Sequence, residues 1–467
     1  MEQEADRLAH RSSGLADGSS GLAHGSSGLT AAGARPRLRF LVVSVFWVTA
    51  IFLYFDRVNI SMAAPRMMAE LGLNGATMGL VLSMFSWGYI PGQLAGGFAA
   101  DRLSVRRWGS AFFLLWCVTT IFTGLCRSVP QLILARTVFG FSEGAVVNPM
   151  NKLQNHWVLP RERGLVNGSL MFAAYLGLVA GMPLVGWLIQ AYGWRTMFLL
   201  SGGVSVLGVL LFWLVVYDYP RQHPWIDAHE RAEIEESLAA DRVTYDAARR
   251  QPQPLTYSAA ARILLSNPRF WAICGAAFFI QMIYMTNFSW LPGYLVLERG
   301  FSGIKSGNVL AIPYLAAALG ALLGGYLSDR LGTRTGVIMA AVALTVPAIA
   351  GLLLIQNERG VIAMLSLLLC CNSAALSIFV VLLFDVFPAE ITGIALAISL
   401  GVCGALGGGA GPLIMGYAYD LTHSFSWGFG VMAVGMLVSL VLLGFVLPYE
   451  RSIRLQKRQR AAVQHAS

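Results

Sequence analysis

The sequence predicts an all-α integral membrane protein, with twelve transmembrane helices in two pseudo-symmetric bundles of six. Its composition is one reason, because 56% of the 467 residues are hydrophobic and only 12% are charged, a balance typical of chains that have the bilayer as solvent. An internal repeat is the other: GGFAADRLSVRR (residues 96–107) returns as GGYLSDRLGTRT (residues 324–335), which places Asp101 and Asp329 228 residues apart. Repetition at this distance indicates a duplicated membrane unit.

Twelve apolar runs account for the predicted helices, because a helix that crosses a bilayer needs about 20 mainly apolar residues. Many runs contain glycine or proline, which bundled membrane helices tolerate. The runs cover residues 40–62, 77–99, 108–126, 131–153, 165–190, 197–217, 270–293, 305–327, 336–355, 361–386, 393–418 and 428–448. The first six form a bundle over residues 39–217, and the last six form a second bundle over residues 269–448.

Three polar segments lie outside the bundles. Residues 1–38 contain a Gly/Ser-rich repeat of seven residues and are predicted to form a disordered cytoplasmic tail. Residues 218–268 form a cytoplasmic linker, and residues 449–467 form a basic cytoplasmic tail. The middle of the linker, AHERAEIEESLAADR, has the composition and charge spacing of a helix that lies along the cytoplasmic face. The linker is either a passive hinge or a site of gating or partner binding.

Lysine and arginine set the predicted orientation. With the N-terminus inside, 25 of the 33 basic residues fall on one side of the membrane, which is the positive-inside pattern and makes both termini cytoplasmic. The net charge of +9 therefore reflects topology and does not indicate nucleic-acid binding. Arginine greatly outnumbers lysine and no organelle address is visible, so we expect a cell inner (plasma) membrane. The sequence leaves the oligomeric state open.

Neither a metal site nor a cofactor site is expected. All six cysteines fall within apolar runs, without the spacing of a disulfide framework or of a metal site. No Ser/His/Asp, nucleotide or metal motif stands above chance, so an enzyme is not predicted.

Four ionisable residues fall inside the spans of the first bundle: Asp56 and Arg57 in the first span, Arg136 and Glu143 in the fourth. A charge there is costly unless it is paired or wetted, so each is a functional hypothesis. In one consistent arrangement Arg57 faces a central cavity and binds an anion, while Asp56 turns toward Arg136. Glu143 lies about 10 Å deeper, by the rise of a helix, and is the proton site, so that proton and anion binding are linked. Alternatively, the four residues form a static ion-pair network that joins the two helices.

Polar side chains complete the predicted site. Tyr89 and Gln93 are one turn apart on the second span and are predicted to line the cavity. Asn287 of the second half is added from a larger set of polar residues, for which hydrogen bonding between helices is an equal alternative. The rest of that set is Asn148, Asn167, Ser169, Tyr175, Gln281, Tyr284, Asn372 and Ser377.

The repeated loop carries Asp101 and Arg102 in the first half and Asp329 and Arg330 in the second. An aspartate at a cytoplasmic helix end can cap a neighbouring helix and pair with basic residues. Such a contact predicts a gate that forms only when the cytoplasmic side is closed. A tight turn with topology-setting charges explains the same residues equally well.

The repeated loop resembles the signature loop of the major facilitator superfamily, with its echo at the matching place in the second half. Within residues 40–450 the chain also resembles the anion:cation symporter family. The motifs that carry this second resemblance are YFDRVNISMA (residues 54–63), FSWGYIPGQLAGG (85–97), ARTVFGFSEGAVVNP (135–149), HWVLPRERG (156–164), YGWRTMF (192–198) and HPWIDAHE in the linker.

The family resemblance implies alternating access in a carrier of organic anions, such as sugar acids and aromatic or aliphatic carboxylates. It implies that Arg57 binds the anion and that Asp56 and Glu143 couple transport to protons. Arg136 is then the partner of these carboxylates, and Tyr89 lies in the cavity.

One motif departs from the family pattern. Sugar-acid members often have an asparagine in the eleventh span after a TGG-like start, whereas TGIALAISL has Ile394 in place of the second glycine and Ala397 where that asparagine would fall. The resemblance therefore disfavours a polyhydroxylated substrate. In the first signature loop Ser104 also occupies the usual glycine position.

Together these observations predict proton-coupled symport, in the direction of uptake, of a small organic carboxylate anion, with the proton gradient as the source of energy. One rival is another mode of transport, either anion exchange of the organophosphate/phosphate type or proton-driven drug efflux. A rival from another class is a non-transporting membrane receptor or scaffold, which would bind a ligand without flux.

Overall fold

The computed structural model describes residues 37–249 and 257–466, so most of the predicted tail over residues 1–38 lies outside the described residues. The described secondary structure is helical, as predicted. The helices are α1 (Leu38–Leu71), α2 (Gly75–Arg102), α3 (Val105–Leu125), α4 (Val129–Trp157), α5 (Arg163–Val215), α6 (Ala228–Arg249), α7 (Tyr257–Leu265), α8 (Pro268–Leu297), α9 (Gly303–Leu331), α10 (Arg334–Leu354), α11 (Glu358–Val386), α12 (Ala389–Leu396), α13 (Ala405–Thr422) and α14 (Ser426–Ala466). Residues Ala397–Gly404, between α12 and α13, form a π-helix.

These helices confirm the predicted membrane architecture. Within residues 37–249 and 257–466, nine helices are long and apolar enough to cross a membrane. One of the nine contains α5, which holds both the fifth and the sixth predicted spans. The second and fourth spans are α2 and α4, with 28 and 29 residues; α4 is less apolar because it carries Arg136 and Glu143.

A turn at Gly193 folds α5 back on itself. This residue has φ 81°, a conformation that glycine adopts readily. On one side of the turn, a Cβ on Gly177 would lie 2.5 Å from the backbone oxygen of Ile51, and on the other side Gly208 packs against Phe52. In a straight helix Gly177 and Gly208 would be about 46 Å apart. Residues 163–192 and 194–215 are therefore two spans, which we call the first and second arms of α5.

Close contacts at glycines follow the internal repeat between the first half (α1–α5) and the second half (α8–α14). A Cβ on Gly96 would lie 2.4 Å from the backbone oxygen of Ala145, and a Cβ on Gly324 would lie 2.9 Å from the Cα of Ala374. Helix α2 thus packs on α4 as α9 packs on α11, because small residues let membrane helices approach closely.

The two halves meet on the side opposite the basic loops that follow α2, α4 and α9, here called the far side. A Cβ on Gly79 of α2 would lie 2.6 Å from the backbone oxygen of Pro412 in α13. The related contact joins α9 to α5, since a Cβ on Gly307 would lie 2.5 Å from the backbone oxygen of Met182. Glycine at both positions allows the halves to close the far side.

Asp420 adds a charged cap to the far-side closure. Its carboxylate accepts hydrogen bonds from the backbone N–H groups of Gly75, at 2.5 Å, and Ala76, at 2.7 Å. A carboxylate at the N-terminus of α2 is favourable because the first N–H groups of a helix have no partner within the helix.

The side that carries the basic loops, here called the basic side, is open. A Cβ there would meet no described atom within 4 Å at Gly164, Gly168, Gly325, Gly393 or Gly401. The chain therefore adopts a conformation that is closed on the far side and open on the basic side.

Helix α6 covers the linker segment predicted to be helical, and it docks on the basic side of the first half. The Glu230 carboxylate accepts hydrogen bonds from the backbone N–H groups of Leu38 (2.8 Å) and Arg39 (3.0 Å), which caps the N-terminus of α1. The Arg39 guanidinium in turn pairs with Glu162 and Glu233, each at 3.0 Å. These contacts fasten the linker to the start of the first span.

Candidate functional site

A cavity of about 440 Å³ lies between the two halves, on the basic side of the far-side contacts. This volume lies within the range of about 300–1,000 Å³ that small-molecule sites occupy. The lining residues are Tyr54, Arg57, Phe85, Ser86, Tyr89, Gln93, Gln281, Tyr284, Met285, Leu376, Leu396, Ala397, Leu400, Gly401, Ala405 and Gly408.

Arg57 is the charged residue of the cavity wall, and it forms an ion pair with Glu143 of α4. The Arg57 Nε donates to Glu143 Oε1 at 2.6 Å, and Nη2 donates to the same oxygen. Glu143 is fully buried, and its second oxygen, Oε2, has no hydrogen-bond partner in the described structure. The residue predicted to bind the anion and the residue predicted to bind the proton are therefore in direct contact, despite their different depths along the two helices.

Aromatic rings surround the Arg57 guanidinium. Its Cζ lies 4.8 Å from the ring centre of Tyr54, 5.4 Å from that of Phe85 and 5.8 Å from that of Tyr89. Cation–π attraction at these distances stabilises a cation that is largely removed from water. The rings hold the guanidinium at the cavity wall, where an entering anion can reach it.

Asp56 does not turn toward Arg136, so the predicted arrangement was wrong at this residue. Adjacent residues on a helix point about 100° apart, and Asp56 faces the second arm of α5. Its carboxylate, which is 1% exposed, accepts hydrogen bonds from Asn59 at 2.8 Å and Ser205 at 3.0 Å. Because these partners are neutral, the four charged residues do not form one ion-pair network. A proton-coupling role for Asp56 stays a prediction.

Arg136 lies close to the Arg57–Glu143 pair. Its Nε has no hydrogen-bond partner in the described structure, and its guanidinium lies over Phe139 at 4.7 Å. Arg136 and Arg57 both line a small closed space of about 20 Å³ on the far side of the cavity. Two guanidinium groups against one adjacent carboxylate make this end of the site attractive to an anion.

Tyr89 and Gln93 line the cavity, as predicted. Asn287 does not, so the prediction for this residue was wrong. Its side chain is 1% exposed inside the second half, and neither atom of its amide has a hydrogen-bond partner in the described structure. Helix α8 reaches the cavity through Gln281 and Tyr284 instead. Since α8 is apolar around most of its circumference, its sequence period does not show which face meets the cavity.

The predicted gate residue Asp329 contacts only its own half in this open conformation. Its carboxylate pairs with Arg334 at the start of α10. Arg334 also reaches Asp385 of α11, with Nε to Oδ2 at 3.0 Å. The repeated loop of the second half is thus tied to the neighbouring helices of that half.

The other gate residues are also local in their described contacts. Arg330 donates to the hydroxyl of Tyr326 at 3.4 Å, and the Arg102 guanidinium lies 4.3 Å from the ring centre of Phe98, each on its own helix. The side chain of Asp101 lies outside the described part of the structure. A gate that forms when the basic side closes therefore stays a prediction.

Sequence reasoning missed two parts of the cavity wall. Tyr54 is the first, and its signal was a position three residues before Arg57, which places both on one face of α1. The π-helix at Ala397–Gly404 is the second, and it contributes Ala397, Leu400 and Gly401. Single-turn π-helices often mark functional sites, but no residue pattern predicted this one. Among the described residues, no group of three or more His, Cys, Asp or Glu is arranged to hold a metal ion.

Comparison with known proteins assigns the family. The family model described as "Major Facilitator Superfamily" matches residues 46–399 and 305–466. A "Probable sulfoacetate transporter" of Cupriavidus necator is 30% identical over 428 residues, which cover 87% of this chain and 94% of the relative. A "D-galactonate transporter" of Escherichia coli O6:H1 is 28% identical over 425 residues, covering 88% and 97%. A "Probable galactarate/D-glucarate transporter" of Escherichia coli K12 is 27% identical over 439 residues, covering 90% and 97%.

A solved structure shows the same fold. A bacterial homologue of the human lysosomal transporter Spinster, crystallised in an inward-facing and unoccupied conformation, matches with a TM-score of 0.69 and 18% identity, and the match covers 90% of this chain and 98% of that chain. With the family model and the relatives, this fold confirms the resemblance carried by the repeated loop and the prediction that the chain is not an enzyme. The chain belongs to the major facilitator superfamily and is a multi-pass membrane transporter.

Proposed function

We propose that the protein is a proton-coupled symporter that carries a small organic carboxylate into the cell by alternating access. The observation that carries the proposal is the Arg57–Glu143 ion pair at the wall of the central cavity. One guanidinium is shared there between a carboxylate of the protein and the carboxylate of a ligand.

Charge balance links the proton to the anion. When a substrate carboxylate binds Arg57, Glu143 loses its counter-charge inside a buried site. A buried carboxylate without a counter-charge is costly, and a proton neutralises it. Protonation of Glu143 conversely frees Arg57 for the substrate, because coupling between two sites is reciprocal. The site takes up one anion with one proton and keeps its net charge.

The position of the pair suits alternating access. Arg57 and Glu143 both belong to the first half, so a rocking motion of the halves leaves them together. The far side is closed through Gly79 and Gly307, and we propose that closure of the basic side, with the loops at Asp101 and Asp329, accompanies its opening.

The relatives support an organic anion as the substrate. Their names specify sulfoacetate, galactarate or D-glucarate, and D-galactonate, all of which are anions of organic acids. The excess of Lys and Arg on the basic side supports a cytoplasmic position for that side and for both termini. With this orientation in a cell inner membrane, the open cavity faces the cytoplasm.

Reconstitution in proteoliposomes tests the proposal. Under an inward proton gradient, and with a panel of sugar acids, aromatic acids and short aliphatic acids, we expect at least one acid to accumulate and a protonophore to abolish its accumulation. Absence of gradient-driven accumulation across the panel would contradict the proposal. Transport that needs an internal counter-anion and no proton gradient would identify an exchanger instead.

A Glu143→Gln variant separates coupling from binding. We expect it to lose gradient-driven accumulation and to keep exchange of labelled for unlabelled substrate, because the amide cannot carry the proton. Glu235→Gln is the matched control, since Glu235 lies on α6 in a solvent-exposed pair with Arg231 and should change neither activity. Equal loss of both activities, together with poor folding, would make the ion pair structural.

A further inference from the structure

We infer that the transported anion has a flat apolar body, such as the ring of an aromatic carboxylate, and is not a polyhydroxylated sugar acid. The inference rests on the proposed function, because it takes the central cavity as the substrate site. It follows from the unequal chemistry of the two walls of that cavity.

The polar wall comes from α1, α2 and α8. Arg57 supplies its charge, and Tyr89, Gln93 and Tyr284 supply hydroxyl and amide groups. This wall can bind a carboxylate and one or two neighbouring polar atoms. Its aromatic rings also offer flat surfaces on which a ring can pack.

The opposite wall comes from α11, the π-helix and α13, and the residues that it contributes to the cavity have no polar side chain within the described structure. Leucines form part of this wall, at positions 376, 396 and 400. Small residues form the rest, at Ala397, Gly401, Ala405 and Gly408.

The π-helix explains why the small residues form a flat surface. The spacing of Ala397, Gly401, Ala405 and Gly408 keeps all four on one face of the chain. An added Cβ on Gly401 would meet no described atom within 4 Å, so space lies next to the backbone there. A planar group can approach such a surface closely, whereas a branched polyol cannot.

Hydrogen-bonding capacity excludes the sugar acids. A polyhydroxylated chain presents hydroxyl groups along its whole length and on both sides, so it needs partners on both walls. Hydroxyls turned toward the α11–α13 wall would leave water without a replacement partner from a side chain, which is unfavourable. An apolar body loses no hydrogen bond on that wall and gains contact with its leucines.

Ligand binding to the purified, full-length protein in lipid nanodiscs tests the inference. Hexanoate and gluconate form a matched pair, because both are six-carbon monocarboxylates and they differ in the hydroxyl groups of gluconate. We expect benzoate and hexanoate to bind at least about tenfold more tightly than gluconate, a ratio that apolar pockets commonly reach.

A variant of the apolar wall sharpens the test. Ala397→Asn places an amide in the wall and should lower the preference for benzoate over gluconate by at least about fivefold, since a site with a hydrogen-bonding group penalises ligands that leave it unpaired. Val402→Asn is the control, because Val402 lies in the same π-helix, is 44% exposed and does not line the cavity. It should leave the preference unchanged.

The outcomes separate this inference from the proposed function. Tighter binding of gluconate than of hexanoate and benzoate would overturn the inference and leave the proposed function standing. An equal change of preference in Ala397→Asn and Val402→Asn would also overturn it, because the wall would then not set specificity. Failure of every carboxylate to bind would overturn the proposed function itself, and the inference with it.

Discussion

The two halves of the protein place different chemistry at equivalent positions. Gly177 meets the backbone oxygen of Ile51 as Gly407 meets that of Phe278, so α1 and α8 match with a shift of 227 residues. With this shift Arg57 corresponds to Tyr284, and both line the cavity. The charged wall of the first half therefore faces a neutral, hydrogen-bonding counterpart in the second.

The same relation holds for the partner of Arg57. The contacts of Gly96 with Ala145 and of Gly324 with Ala374 match α4 with α11 at a shift of 229 residues, which places Glu143 opposite Asn372 in the repeat. Duplication has thus kept the helix packing in both halves and the ion pair in one. A charge pair inside a single half is not broken when the halves rock, so only its ligands need to alter it.

The largest expected effect comes from exchanging the two chemistries. Arg57→Ala should weaken anion binding by at least about a hundredfold, because breaking a buried charge pair costs ~3–5 kcal/mol. Tyr284→Phe, at the equivalent position, removes one hydroxyl and should cost less than about tenfold. Calorimetric titration of both variants with the transported anion measures the difference. Equal losses in the two variants would remove the distinction between the halves.

Folding must be separated from binding in this comparison. The double variant Arg57→Tyr/Glu143→Asn gives the first half the side chains of the second and leaves no buried unpaired charge. We expect its thermal stability to exceed that of Arg57→Ala, while anion binding remains absent. Anion binding by a folded double variant would show that the ion pair is not the anion site.

A smaller and symmetric effect is expected at the far side. Gly79→Ala and Gly307→Ala each place a Cβ within 2.6 Å of a backbone oxygen of the other half, and overpacking of this kind costs ~1–3 kcal/mol. Both variants should slow transport about tenfold, because far-side closure becomes unfavourable. Gly203→Ala, where a Cβ would meet nothing within 4 Å, is the control. Strongly unequal effects of the first two variants would show that the halves do not share the closing mechanism.

The smallest expected effect is a pH response of the linker that only the first half has. His223 is 4% exposed, its Nδ1 accepts from the backbone N–H of Trp225 at 3.1 Å, and its Nε2 contacts the backbone oxygen of Val215 at 3.0 Å. Burial, and then the positive charge of Arg106, lower the pKa of His223. The protonated form is therefore disfavoured in the docked linker.

The sign of this response follows from the lowered pKa. The contribution of His223 to docking is present above the pKa of about 6.5 of an exposed histidine, and it is lost as the pH falls. Hydrogen exchange of residues 217–226 should therefore accelerate between pH 7 and pH 5, and a His223→Phe variant should not show the change. On the second half, Glu450 contacts Thr333, Arg334 and Thr335, so the start of α10 should show no such acceleration. Acceleration of both regions, or its persistence in His223→Phe, would contradict the assignment.

Composition and repetition predicted the fold because the bilayer allows few solutions. Each apolar run had to be a helix, and the repeated loop fixed the register of the halves. The turn at Gly193 follows the same logic, since a helix of 53 residues is more than twice as long as a crossing requires.

The site was predictable only in part. Charge inside a membrane singles out Arg57 and Glu143 without any structure. Their direct contact was not predicted, because a rise per residue gives the depth of a Cα and ignores the reach of an arginine side chain. The partners of Asp56 were missed because Ser205 is a common residue type with no charge to mark it. Asn287 was misplaced because an apolar helix shows no periodic face.

The central claim is that Arg57 cannot hold Glu143 and the substrate carboxylate at once, so that anion binding brings one proton into the site. Calorimetric titration in buffers of different ionisation enthalpy counts protons directly, because the observed heat then includes the heat of the buffer. We predict uptake of about one proton per anion bound by the wild-type protein and of none by Glu143→Gln, by charge balance at the buried site. Anion binding without proton uptake in the wild type, or with equal uptake in Glu143→Gln, would contradict the account.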